Sequence, residues 1–381
     1  MEVTVQQPAG DLDHIDEIVR ERVADIRSER RLPDAVLAAI RDTGLNRMTV
    51  PTELGGAARP PTEMAAIIER IAAADGSAGW CAAIGSGSNA FAGYVPRTAA
   101  AEIWSDVDSA NASMFAPTGN VETDGDGLVL RGRWSFVSNC LHSTWIGVGA
   151  FTDPGMDVTP PGPRIFFVPA NEVTVHDTWD TDGLRGTGSH DVSVDGAAVA
   201  LSRSCSFADT PWATGPLWRI PLFNVLAPPL AAVLVGIARG ALAVIDRMIV
   251  EGHASGRGAL ADDDVALADV AHAHATLDAA RAALYGSMDE LWAVASADVQ
   301  IPRALRARNL LAVQHAVDVA EAVVSTAHRV AGSAAAYRNH PLAIATADVG
   351  AGRQHILFSH HSRPALAKAM AGCEASAPPF L

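Results

Sequence analysis

The four cysteines, Cys81, Cys140, Cys205 and Cys373, stand far apart, and none forms a Cys-x-x-Cys pair. That spacing argues against a zinc site and against a disulfide framework, and it makes a reducing cytoplasm the expected compartment. Runs of lysine or arginine are missing too: 28 basic residues stand against 43 acidic ones, a formal net charge of -15. So acidic a chain is repelled by phosphate, which excludes nucleic acid and an anionic membrane surface as expected partners. The opening MEVTVQQPAGDLDHIDEIV lacks the basic start and apolar run of a secretory signal. The longest apolar stretch, Ala227 to Ala238, is short for a bilayer and carries two prolines, so it reads as a buried helix. There is no internal repeat, no low-complexity linker and no G-x-G-x-x-G nucleotide fold.

What remains is ample for a large core: 381 residues, 49% of them apolar, with a length that suggests two or three domains. The composition suits a soluble protein whose partner is a small molecule or another copy of itself. Hydrophobic spacing divides the chain into three zones. Residues 1–110 are expected to form an N-terminal helical domain. Ile15, Val19, Val23 and Ile26 recur at helical spacing, and Pro33 and Gly44 bracket a second helix. Residues 111–208 change to a period of two and are expected to form a central β-domain. In Leu128 to Phe136 one face takes Leu128, Leu130, Trp134 and Phe136, and the other takes Val129, Arg131, Arg133 and Ser135. Residues 209–381 return to long helices, with a bundle rhythm at Leu310, Val313, Val317, Ala320 and Val324.

The run Gly183-Leu-Arg-Gly-Thr-Gly-Ser189 has the glycines of a phosphate loop. Such a loop should follow a strand and open a helix. Here it precedes Asp191-Val-Ser-Val-Asp195, an alternating strand that ends at an Asp-Gly turn. The expected role is therefore tight turns ahead of a strand.

The order helices, β-domain, long-helix bundle, taken with several short motifs, resembles the acyl-CoA dehydrogenase superfamily. It resembles in particular the branch of two-component, reduced-flavin-dependent monooxygenases, which includes aromatic hydroxylases and dibenzothiophene-type enzymes. The motifs are Arg31-Leu-Pro33, Thr43-Gly-Leu45, Val50-Pro51 with Gly55-Gly56, and Asp75-Gly-Ser-Ala-Gly-Trp80. They continue with Ala116-Pro-Thr-Gly119, Gly132-Arg-Trp-Ser-Phe136 with Ser138, the Gly183–Ser189 run, and Tyr337, Pro341-Leu342, Asp348 and His355. The resemblance implies an α+β chain with an N-terminal helical domain, a central β-barrel-like domain and a C-terminal long-helix bundle. This chain departs from the family at Ile344 and Ala347, where arginines usually stand, and at Asn139, where glycine is common.

What the resemblance implies about chemistry follows residue by residue. His355 and Ser138 are the catalytic candidates, an imidazole to take or polarise a substrate proton and a hydroxyl beside the reactive edge of the flavin. Thr118, Trp134, Ser135, Ser138 and Arg257 are expected at the flavin, and Trp80, Asn139 and His142 at the substrate. The alternatives are a structural histidine, a core tryptophan, a strand-end serine and a solvated arginine. His360 and His361 read as surface or subunit-contact residues, and no spacing suggests a metal.

The expected activity is oxygenation of an aromatic or polycyclic molecule in specialised or degradative metabolism. It would use reduced flavin (FADH2 or FMNH2) from a separate reductase, with O2 as co-substrate, in a cytoplasmic homotetramer. The Tyr-Glu-Gly-Thr run that carries the base of the dehydrogenases is absent, and no acid lies between Asp348 and Glu374. Two alternatives stay open. One is a flavoenzyme that desaturates its substrate, and the other is a relative without flavin that acts as a binding protein.

Overall fold

The computed structural model describes residues 12–125, 127–153, 156, 162–255 and 258–373. Helices come first: α1 (Leu12–Glu29), α2 (Asp34–Asp42), α3 (Pro61–Ala74), α4 (Gly76–Asn89) and α5 (Arg97–Ile103). One sheet follows, of β1 (Ala112–Asp124), β2 (Gly127–Val137), β3 (Trp145–Thr152), β4 (Arg164–Pro169), β5 (Thr174–His176), β6 (His190–Val199) and β7 (Ser204–Cys205). The remainder is helical again: α6 (Pro216–Arg219), α7 (Leu222–Val250), α8 (Asp264–Ser296), α9 (Arg303–Ala331), α10 (Pro341–Gly352) and α11 (Arg363–Met370).

The chain divides into two compact units, each assembled from separate stretches of sequence. One takes Met1–Arg59, Ile84–Trp179 and Gly186–Ala213; the other takes Pro60–Ala83, Asp180–Arg185 and Thr214–Leu381. In the first, Ile15, Val19 and Ile26 bury the stripe of α1. Pro33 stands at the N-cap of α2, and Gly44, left-handed at φ +69°, ends it. The sheet runs β5-β6-β2-β1-β3-β4-β7, with β1 and β3 parallel and every other pair antiparallel. In hydrogen-bonding order β5 and β7 are its outer strands, and it forms the central β-domain that the resemblance implied.

Strand β2 keeps its alternation as far as Trp134 and then breaks. Its register against β6 shifts between Trp134 and Val137, and Phe136 adopts φ +64°. Phe136 is therefore 66% exposed and Val137 is buried, which reverses the face expected for Phe136. A left-handed residue in a strand rotates the pleat, and the period-two pattern cannot carry across it.

In the second unit α7 packs on α3 and α9, and α9 also carries α8, α10 and α11. The bundle rhythm of α9 holds: Leu310, Val313, Val317, Ala320 and Val324 are all buried. Helix α7 runs 29 residues, well beyond the apolar stretch seen in the sequence, with Pro228 and Pro229 inside it. By length and composition α7 could cross a membrane, but 78% of its most apolar window is buried against protein. Glu69 on α3 is 1% exposed and accepts from Arg281 (Nε, 2.8 Å) and from the Tyr285 hydroxyl (2.6 Å), with Arg239 as a second cation. A carboxylate this buried persists only with such partners.

Candidate active site

In the first unit the candidates gather at the end of β2. Ser138 is half-buried, and its Oγ lies 2.7 Å from Ser189 Oγ, which in turn lies 2.6 Å from Thr187 Oγ1. Both Thr187 and Ser189 are buried. The Gly-Thr-Gly-Ser part of the glycine-rich run thus supplies a chain of hydroxyls that orients Ser138. Thr118 and Ser135 are exposed on neighbouring strands, and the Thr118 hydroxyl donates to Arg133 O at 2.8 Å.

Three expected contacts fall elsewhere. Trp134 is 1% exposed in the core of the sheet, and its Nε1 donates to Gly149 O at 2.7 Å. A Cβ on Gly119 would lie 2.3 Å from this ring and one on Gly132 2.6 Å away, so both motif glycines make room for the indole. Trp134 braces the sheet and keeps no open face for a flavin. Asn139 and His142, expected at the substrate, hold each other. His142 Nε2 accepts the Leu32 N–H at 3.1 Å, so its proton sits on Nδ1, 3.1 Å from Asn139 Oδ1. Burial pushes His142 down to about 4, and the ring is neutral with both nitrogens engaged. Asn139 is 1% exposed at φ +68°, a conformation that glycine adopts most readily and that asparagine tolerates best among the rest.

Phe136 was missed in the sequence. Its exposed ring sits 6.3 Å from Trp179 at 84°, and its carbonyl accepts the Ser138 N–H at 2.9 Å. Left-handed strain in a bulky residue is unusual and clusters at functional sites. Simple alternation placed this ring in the core, so no local signal was available.

The second unit builds around His355. Asp75 caps α4 by accepting the Ala78 N–H at 2.9 Å. Gly76 follows because a Cβ there would lie 2.7 Å from Asp348 Oδ2 and 2.9 Å from Ile237 Cδ1. One turn on, Trp80 meets the His355 ring edge-on at 5.6 Å, and the Phe358 ring lies 5.8 Å from it, tilted by 56°. His355 is in extended backbone after α10, not on a helix, and its Nδ1 accepts the Leu357 N–H at 3.4 Å. Burial pushes this imidazole down to about 4, and Nε2 has no hydrogen-bond partner among the described residues. Asp348, 2% exposed, takes the Leu184 N–H at 2.6 Å. Gly183 fits because a Cβ would meet Ala347 O at 1.9 Å. The first part of the glycine-rich run thus anchors on α10, the helix that carries Ile344 and Ala347. Arg257 lies outside the described residues.

Comparison with known proteins now defines the class. Residues 13–102 match the acyl-CoA dehydrogenase N-terminal domain and residues 229–360 the acyl-CoA dehydrogenase C-terminal domain. The chain is 33% identical to the indole-3-acetate monooxygenase of Pseudomonas putida, over 88% of its own length and 86% of the relative. The crystal structure of the 3-HSA hydroxylase from Rhodococcus sp. RHA1 superposes with a TM-score of 0.91 at 26% identity, covering all of both chains. XiaF from a Streptomyces, solved with FADH2 and glycerol, gives 0.87 at 25% identity over 96% of this chain and 95% of its own. The chain belongs to the flavin-dependent monooxygenases of the acyl-CoA dehydrogenase superfamily.

The residues present fit a reduced flavin. A planar ring with a hydrogen-bonding edge needs a flat apolar neighbour and an oriented hydroxyl. The exposed Phe136 ring, braced edge-on by Trp179, supplies the first, and Ser138, backed by Ser189 and Thr187, supplies the second.

Proposed function

We propose that this protein inserts one atom of O2 into an aromatic or polycyclic small molecule, with reduced flavin supplied by a separate reductase. The substrate class follows the names of its relatives, among them the indole-3-acetate monooxygenase and the resorcinol hydroxylase of a Rhizobium, 30% identical over 282 residues. When bound, reduced flavin supplies the electrons that activate O2. The chain's own residues bind, orient and hold protons. Ser138 would donate to the flavin edge, Phe136 would support the ring, Thr118 and Ser135 would border it, and Trp80 backs His355.

His355 is the observation that carries this reading. With a conjugate acid near 4, it would take a phenol proton only uphill, by about 6 pK units or roughly 8 kcal/mol. Its Nδ1 accepts from Leu357, so the neutral ring carries its proton on Nε2. His355 therefore acts as a hydrogen-bond donor that polarises the substrate rather than as a base that strips it.

The test combines the purified protein, a flavin reductase, NADH and 18O2 with a panel of phenols and indoles. One 18O per product is expected. His355→Ala should lower turnover by about 10²-fold or more while leaving reduced-flavin affinity within a few-fold. Undiminished turnover removes the role given to His355. Bleaching of bound oxidised flavin by an acyl-CoA, without 18O incorporation, replaces oxygenation with desaturation. We also propose a cytoplasmic homotetramer built on the long helices, to be checked by sedimentation.

A further inference from the structure

The loop that carries His355 has little regular structure of its own. Between α10 and α11 the chain makes two short 3-10 turns, Ile356–Phe358 and His360–Ser362, each entered through an extended residue, His355 and Ser359. Two side chains one turn apart on α9 hold it. Gln314 is 2% exposed and uses its whole amide. Its Nε2 donates to Ser359 O (3.1 Å) and Ser362 Oγ (2.7 Å), and its Oε1 accepts from Arg363 Nε (3.0 Å). Asp318 binds both sides of His355. Its Oδ1 lies 2.7 Å from Arg353 Nη1, two residues before, and 3.2 Å from His360 Nε2, five residues after. Its Oδ2 accepts from Arg363 Nη2. Glu321, one turn further along α9, takes Arg353 Nε at 2.8 Å.

We propose that Gln314 and Asp318 are positioning residues for His355, closing its loop from both ends so that the ring keeps its contacts with Trp80 and Phe358. The proposal rests on the role given to His355 above. An isolated exposed ion pair contributes little, but a network in which one carboxylate receives two arginines and a histidine ring fixes geometry. Burial pulls the Asp318 carboxyl upward, yet the hydrogen bonds from Arg353, Arg363 and His360 hold it below the usual carboxylate range. The carboxylate is thus charged whenever the loop is in place. A donor that must meet a substrate atom within a few tenths of an ångström depends on such outer support.

The experiment labels the histidines of the full-length protein at Cε1 with 13C, assigns His355 by its loss in His355→Gln, and titrates it. In the unsubstituted protein the midpoint is expected near 4, because burial disfavours the charged ring. In Asp318→Asn the loop loses its charged anchor, the ring meets water, and the midpoint should rise by one unit or more. Asp318→Glu, which keeps the charge, should stay near the original value. Gln314→Met is the second variant, and its midpoint should also rise; it carries the test should Asp318→Asn fail to fold. A folded Asp318→Asn or Gln314→Met protein with the His355 midpoint unmoved overturns the proposal. A raised midpoint together with undiminished turnover in His355→Ala removes the function of His355 and leaves the clamp.

Discussion

Two histidines, His142 and His355, are kept neutral by burial, and the consequence is a specific dependence of stability on pH. Each is pushed from an ordinary value of 6.5 to about 4 in the folded protein. In the unfolded chain each takes its proton near 6.5. Below that pH the unfolded state therefore binds more protons than the folded one, and stability falls as the solution is acidified. The loss begins near pH 6.5 and is complete near pH 4, where the folded state is protonated as well. A gap of about 2.5 units corresponds to roughly 3 kcal/mol per histidine, against a total stability of about 5–15 kcal/mol for an ordinary domain. The perturbation is His142→Gln. At pH 7 it removes the bonds with Leu32 and Asn139 and costs some stability. That deficit should shrink steadily toward pH 4, by about 3 kcal/mol, because the variant no longer has a buried ring to charge. Urea unfolding at half-unit steps from pH 7 to pH 4 measures it. Parallel curves, with a deficit that is the same at pH 7 and pH 4, would falsify the claim that His142 is held neutral.

Three further outcomes are expected. Phe136→Gly should relieve a left-handed strain of about 1 kcal/mol and leave the melting temperature equal or higher, yet weaken reduced-flavin binding. Lower stability with unchanged affinity would place Phe136 in the core instead. Trp134→Phe removes the bond to Gly149 and should cost about 1–3 kcal/mol of stability by denaturant titration, with flavin affinity unaltered. Gly76→Ala forces a methyl against Asp348 and Ile237 and should destabilise by about 1–3 kcal/mol, whereas the same change at the open Gly286 should be neutral or stabilising.

The sequence was most readable where a local period survives folding. The stripe of α1, the caps of α2 and the rhythm of α9 each report burial on one continuous element, and each lies where the spacing predicts. The family motifs carried the class for a related reason. Asp75, Gly76 and Trp80 are bound by capping, close approach and ring contact to fixed distances along one helix, so their spacing persists.

Positions whose role depends on a non-local partner could not be read this way. Alternation sent Phe136 inward, and only the register shift against β6 turns it out. Asn139 and His142 carried the polar groups of a binding site, but Leu32, more than a hundred residues away, takes the second nitrogen of His142. Trp134 had the chemistry of a flavin contact, and Gly119, Gly132 and Gly149 enclose it. The run Gly183–Ser189 shows the division within seven residues. Composition marked it as a turn ahead of a strand, which is a local property of glycine. That its first part anchors on Asp348 while its second orients Ser138 depends on partners brought from distant sequence, and no spacing within the run encodes them.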